Sequence, residues 1–337
     1  MSYTGLTVAK IIQNQEFTDA VQLITTDKNI LVESGIATVD PVVQSKVGES
    51  GVTGTTLNMP FFEDLTGDDA PLSENDIDID DIGMGQDVAI IHRRAKGWGV
   101  TDLAHDLSGD DPAGRIAARV GNYRNLRRQD VFFATLEGVF AANAEDNDGD
   151  LILDITKNAN GDDVVGGAEV LHVNTILDAA QLLGDAKGGL VAMAMHSQAE
   201  TVLNSLSAGK GLYRPKDRDH TLSSFDGLNI VMNDNCFYDP ETTETVITLF
   251  AAGAVTINNA KEKVPFEIAR NAKGSRDELF SRDAYVCHIR GIKWKAAVPT
   301  GSSPTNANLK DPTKWERVYE KKLIRACQLR CKLAKLG

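Results

Sequence analysis

The sequence predicts a mixed α+β protein organised along one very long helix. Three observations carry that expectation. Residues 112–142 keep apolar side chains at spacings of three and four, the period of a helix. Many short segments along the rest of the chain alternate apolar and polar residues or form brief apolar runs, the signals of strands. Two of those strands, in 55–65 and 86–94, are separated by a long acidic stretch, so they make an extended excursion rather than a tight hairpin.

The helix is best marked at its start. Asp110 and Asp111 stand before Pro112, an acidic cap followed by proline at the first helical position, where its missing N–H costs nothing. Ile116, Val120, Tyr123, Phe132 or Phe133, Leu136, Val139 and Phe140 form one apolar stripe. At about 1.5 Å per residue, 112–142 reaches roughly 46 Å, longer than a compact domain of this size needs. Arg115, Arg119, Arg124, Arg127 and Arg128 place a cationic face on the first half. Gly114, Gly121 and Gly138 each cost about 1 kcal/mol relative to Ala inside a helix. Gly114 and Gly121 share a face that suits close approach of another backbone.

Before the helix, residues 1–47 carry short helical pieces (9–13 and 17–25) without a sustained stripe and read as an extended arm, stable only when it lies on the body or on a neighbouring copy. In the first strand Leu57, Met59 and Phe61 alternate with polar residues, and Pro60 favours a sheet edge. From Glu63 to Asp87 there are ten acidic residues and no Lys or Arg. Ile77 and Ile79 alternate with Asp76, Asp78 and Asp80, so part of this stretch is a strand with an acidic face. A two-stranded excursion cannot bury its own apolar side chains. Phe61, Phe62, Ile77, Ile79 and Ile90 therefore need a partner from outside. Residues 97–108 join the excursion to the helix, with a short helix at Leu103–Leu107 and Trp98 as an anchor.

After the helix come an acidic turn at 145–150, a strand at 151–155, a helix within 168–189, a strand at 190–195 and a helix at 197–205 with Ser197 as its cap. A basic loop, 209–220, holds Lys210, Arg214, Lys216 and Arg218 and reads as a mixed-charge loop tip. Strands follow at 228–232, 245–251, 255–257, 265–269, 284–288 and 291–295. In the last strand Leu323, Cys327, Leu329, Cys331 and Leu333 fall on alternate positions, which sets the two sulfurs about 13 Å apart at about 3.3 Å per residue, too far for a bridge or a shared metal.

Composition narrows the function. The chain of 337 residues, 42% apolar and 25% charged, can bury a large core. No membrane span or signal peptide is expected, so the chain is expected to be made and kept in cytoplasm. A net charge of −13 argues against an overall field that attracts nucleic acid. The six histidines are scattered, with no HExxH, GxSxG or phosphate-binding loop, and the 146–150 acids lack the spacing of a calcium loop. No catalytic, cofactor-binding or metal residues are expected, and no enzyme.

Several stretches together resemble one family: TTLNMPFFEDLTGD (55–68), WGVTDLAHDLSGDDP (98–112) followed by YRNLRRQDVFFATLEGVF (123–140), LLGDAKGGLVAMAMHS (182–197), EIARNAKGS (267–275), HIRGIKW (288–294) and DPTKWERVYEKKLIR (311–325). In this order they resemble the major capsid proteins of tailed bacteriophages, which share the Hong Kong 97-type fold, and most closely the coat proteins of phages of Bacillus and related hosts. The resemblance implies an N-terminal arm (1–47), an E-loop (48–97), a peripheral domain (98–188) with its spine helix (112–142), an axial domain (189–262), and a return to the peripheral domain with a C-terminal strand (263–337). It implies a structural protein that self-assembles into hexamers and pentamers of an icosahedral head around double-stranded DNA. The E-loop residues Phe61, Phe62, Asp64, Asp68, Asp69, Asp76, Ile77, Asp78 and Ile79 would contact the next subunit. The acids would face the spine arginines or the basic end of the chain, 311–337, and the arginines would otherwise meet DNA by weak non-specific contact. Partners implied are other copies of the chain, a separate scaffolding protein, a portal and a decoration protein, with no membrane. Two other readings compete: an encapsulin-like nanocompartment shell loading a cargo enzyme, and a cytoplasmic α+β enzyme.

Overall fold

The computed structural model describes residues 30–48, 55–63, 82–101, 112–158, 161–164, 166–207, 213–215, 223–271, 274, 276–297 and 303–334. The expected helices at 9–13, 17–25 and Leu103–Leu107, the strand around Ile77 and Ile79, and the cap at Asp110 and Asp111 lie outside these residues, as does most of the basic loop.

Two sheets flank one long helix. The first runs β1 (Ala37–Thr38), β10 (Val255–Asn259), β12 (Arg276–Ile289), β3 (Met84–Thr101), β2 (Thr56–Phe62), with β11 (Phe266–Asn271) also paired to β12. The second runs β4 (Ile152–Asp154), β15 (Ala326–Lys332), β9 (Glu244–Ala251), β5 (Leu190–Met195), β8 (Leu228–Met232), β7 (Ser224–Phe225), β6 (Tyr213–Arg214). It draws strands from three of the segments expected above, because the chain's last strand inserts between β4 and β9. A separate pair, β13 (Ile292–Trp294) and β14 (Trp315–Arg317), is antiparallel. The helices are α1 (Ile30–Glu33), α2 (Pro41–Gly48), α3 (Pro112–Asp146), α4 (Val173–Gln181), α5 (Ser197–Ser207) and α6 (Asn306–Lys310).

Helix α3 starts at Pro112 as the proline position predicts and continues four residues past the expected end, for 35 residues or about 52 Å. Its burial differs from the expected stripe. Between Val131 and Phe140 every residue except Glu137 is buried. A helix apolar all round is an embedded one. Phe132 packs on Phe250 of β9, with ring centroids 5.9 Å apart. On another side the 303–317 segment crosses the helix. There the Trp315 indole donates to the Leu309 carbonyl at 2.8 Å, and Trp294 meets Trp315 edge-on at 4.9 Å. Gly138 is where the two backbones meet: a Cβ there would overlap the Leu309 carbonyl oxygen and the Trp315 indole nitrogen. Gly138, one of the helix glycines expected to mark close packing, is thus a place where a missing side chain admits a neighbouring backbone.

The described part of the expected arm is built into the body. Leu31, Ile36 and Ala37 join the main core, Val43 and Val47 pack with Ala89, Ile91 and Val286 in a second cluster, and β1 pairs in parallel with β10. The hydrogen bonds of Asn258 to the Asp40 carbonyl and the Gln44 side chain fix this segment further.

Three local expectations are corrected. Residues 97–101 are not a junction but the end of β3, and Trp98 packs edge-on against Tyr123 of α3 at 5.3 Å. Leu323 is exposed on a single helical turn, Lys321–Leu323, because the strand starts only at Ala326. Cys327 and Cys331 are buried on that strand as free thiols, and burial pushes both up to about 12. At α5, the N-cap is His196, whose Nδ1 accepts from the Gln198 N–H at 3.1 Å. The hydroxyl and N–H of Ser197 are taken instead by Asp234.

Substituting Gly138→Ala should destabilise the soluble subunit by about 1–3 kcal/mol through overpacking, even though Ala is the better helix former. Equilibrium denaturant unfolding of the two forms measures the difference.

Candidate functional site

The β2–β3 hairpin is the excursion anticipated from the sequence. Its strands pair antiparallel from Thr56↔Ile90 out to Phe62↔Met84. Side chains on β2 alternate between half-buried and exposed, the period of a strand with one covered face, and β2 is a sheet edge that tolerates Pro60. The hairpin's root and its outer end have opposite characters.

The root is locked. Asp87 is 3% exposed; its Oδ2 lies 2.9 Å from His288 Nε2 and accepts the Gly291 N–H at 3.0 Å. Burial alone would raise the Asp87 carboxyl. The facing His288 and the backbone N–H groups of Gly291 and Val88 outweigh it and hold the carboxyl below its ordinary value of 3.8. Gly291 has φ +84, and a Cβ there would run into Tyr319 and Ile324. The Tyr319 ring meets Phe61 edge-on at 4.6 Å. One carboxylate, one turn and one aromatic pair therefore tie β2, β3, β12 and the 319–324 segment together. Asp87 thus leaves the acidic surface counted from the sequence, and Ile90, expected to need an outside partner, is buried in the subunit's own core.

The outer end is bare. Phe62 is 72% exposed, Ile82 63% and Met84 65%. Phe62 and Met84 face each other across the ladder, so they share one side of the hairpin. Phe61, on the other side, is half-covered by Tyr319. Asp64, Asp68, Asp69, Asp76, Ile77, Asp78 and Ile79 lie outside the described residues. Ile82 and Met84 were not singled out from the sequence, although extending the alternation of 86–94 back by one step puts Met84 opposite Phe62.

The arginines of α3 divide. Arg124 and Arg128 are buried and do not form part of an outward cationic face. Arg124 donates to the Ser281 carbonyl and hydroxyl and to the Arg94 carbonyl. Arg128 holds Asp283 through both carboxylate oxygens, at 3.0 and 2.7 Å, gives Nη1 to Asn259 at 2.8 Å, and lies over the Tyr285 ring at 4.6 Å. Four residues along a helix advance about 6 Å and two along a strand about 6.6 Å. Arg124 and Arg128 therefore match Ser281 and Asp283, and the helix is keyed to β12. Burial opposes the Arg128 charge, but Asp283 outweighs it and raises the guanidinium above its ordinary value. Arg119 and Arg127 are exposed, with Arg127 paired to Asp130 one turn on at 2.8 Å. Arg115 lies in α3, and its side chain is outside the described residues. Part of the basic end of the chain is also paired internally: Lys314 with Asp311, Arg317 with Asp150 and Lys322 with Asp185. Among the described residues no cluster of His, Cys, Asp and Glu is arranged to hold a metal ion.

Comparison with known proteins gives a consistent result. A family model described as Gp13-like, major capsid protein 13-like, matches residues 52–324. The major capsid protein of Bacillus phage SPP1 is 33% identical over 339 residues, covering 99% of this chain and 99% of that one. Among solved structures, the capsid of Ralstonia phage GP4 superposes with a TM-score of 0.51 at 10% identity, covering 89% of this chain and 87% of that chain. The capsid asymmetric unit of cyanophage Pam1 does so with a TM-score of 0.50 at 15% identity, covering 84% and 86%. At such identities the two structures speak to the fold alone.

Two outcomes follow from this geometry. Arg128→Ala leaves the half-buried Asp283 and Asn259 without their buried partner and should cost about 3 kcal/mol, whereas Arg127→Ala on the exposed side should stay within about 0.5 kcal/mol; denaturant unfolding compares them. Because the folded Asp87 carboxyl lies below its unfolded value, its stabilising effect is complete above about pH 4 and is lost as pH falls through the folded value. The Asp87→Asn subunit should accordingly be less stable at neutral pH and show a flatter acid limb in a stability profile below about pH 4.

Proposed function

This chain belongs to the Gp13-like family of major capsid proteins, and from that premise we propose that the bare end of its β2–β3 hairpin is the contact through which subunits close into rings. As a major capsid protein it is a structural component of a phage virion, assembled from copies of itself, with the α+β fold of the phage capsid proteins; it is not an enzyme. Family membership does not favour the nanocompartment or enzyme readings.

The observation that carries the proposal is the contrast within one hairpin. A locked root supports an end with three large apolar side chains in solvent, beyond which residues 63–81 are rich in acids. Exposed apolar groups gathered at a projecting end mark an interaction surface. Laid over the next subunit, such an end makes a heterologous contact that closes by rotation into hexamers and pentamers. Exposed ion pairs contribute only about 0–1 kcal/mol each, so strength comes from apolar area at about 25 cal/mol per Å² summed over many contacts.

In this reading residues 48–97 are the E-loop, 98–188 the peripheral domain along the spine, 189–262 the axial domain and 263–337 the return, with β15 completing the axial sheet. With Arg124 and Arg128 buried, Arg115, Arg119 and Arg127 are the spine arginines that remain to meet packaged double-stranded DNA, weakly and without sequence preference. A separate scaffolding protein, a portal and a decoration protein complete the partners, and assembly takes place in the host cytoplasm.

Deleting residues 66–84 should leave a soluble, folded subunit that forms no shells. Intact shells of the deletion variant under the electron microscope would overturn the assignment.

A further inference from the structure

With Arg124 and Arg128 occupied inside the subunit, an acidic excursion arriving from a neighbour needs a cationic surface elsewhere. The turn Lys321–Leu323 and the following Arg325 have that chemistry. Leu323 stands exposed between Lys321, Lys322 and Arg325. Arg325 is exposed, and its Nη1 is held at 3.1 Å by the Ala252 carbonyl, which leaves its charge without a neutralising carboxylate in that bond. Thr38 Oγ1 and Arg325 Nη1 both border Gly253, 3.2 and 3.5 Å from where a Cβ would stand. The short edge strand β1 and the residues after it therefore adjoin the 321–325 turn. Among those residues Val39 and Val42 are exposed. Among the described residues, the acids next to these side chains include Asp40, paired with Arg290 at 2.8 Å, Asp185, paired with Lys322 at 3.0 Å, and the exposed Glu320.

The complementary surface is on the same chain. Residues 63–81 carry acids and no Lys or Arg, and the adjoining Phe62, Ile82 and Met84 are exposed. We propose that the surface of Val39, Val42, Lys321, Lys322, Leu323 and Arg325 receives the acidic excursion of a second copy of this chain. The proposal rests on the reading that subunits join through that excursion. Apolar side chains in each surface exclude water on contact, and the opposite charges that accompany them fix orientation and exclude wrong pairings. The attraction between the rims weakens with salt.

The test compares full-length chains under the conditions in which the unaltered chain forms shells, scored by sedimentation and electron microscopy at low and moderate salt. Lys321→Glu, Lys322→Glu and Arg325→Glu together should lower the yield of shells at least tenfold. Circular dichroism and the thermal midpoint of the subunit should stay near those of the unaltered chain. Asp76→Lys, Asp78→Lys and Asp80→Lys together should do the same, and a chain carrying both sets should regain shells. Leu323→Asp, a single exposed change, reads the same contact if the triple variant fails to fold, and it should also block assembly. Normal shell yield from the reversed patch or from Leu323→Asp overturns the proposal, as does failure of the combined chain to recover. If deletion of 66–84 blocks shells while the patch variants assemble normally, the ring contact stands and only this receiving surface is wrong.

Discussion

The structure depends on the fit between α3 and β12. Arg128 is nearly buried, so its charge is tolerable only because Asp283 meets it in a two-point contact and Asn259 and Tyr285 take up its remaining directions. Arg124, one helical turn earlier, satisfies the carbonyls of Ser281 and Arg94. These two side chains set the rotation and the position of a helix too long to be fixed by one apolar stripe. Once the helix is set, its middle can be surrounded: β9 on one side, Trp294, Trp315 and the 303–317 segment on another, with Gly138 at a close approach of the two backbones.

The hairpin is a consequence of the same frame. Strand β3 is held on β12 from Ile91 to Thr101, and only beyond Ile91 does it become one arm of the hairpin with β2. At that changeover sit Asp87, His288 and Gly291. The protein thus places a buried carboxylate where the body ends and the projecting part begins. Beyond it Phe61 is half-covered by Tyr319, while Phe62, Ile82 and Met84 find no cover within the subunit among the described residues.

Most of this frame was legible in the order of residues. Strand positions followed from alternation, and Pro112 marked the helix start. What the sequence could not separate was one charge from another. Arg124, Arg127 and Arg128 look alike in a row of basic residues, and only the matching rise of helix and strand sends two inward and one to solvent. Asp87 looks like the last member of an acidic run until His288, two hundred residues away, comes to face it. The stripe on α3 was incomplete for a related reason: a helix covered on several sides needs apolar residues at nearly every position, and such a run has no single period to detect. Leu323 keeps the alternation of the last strand in sequence, yet it sits on the turn before that strand, where alternation carries no strand geometry.

The long ladder between β3 and β12 also has a mechanical meaning. A pull on the far end of the hairpin acts along the axis of β3, so the pairs from Arg276↔Thr101 to Val286↔Ile91 are strained together in shear rather than opened one after another. The Arg128–Asp283 pair then passes that force from β12 into α3. A subunit built this way spreads a pull on its hairpin through a whole sheet instead of loading one hydrogen bond at a time.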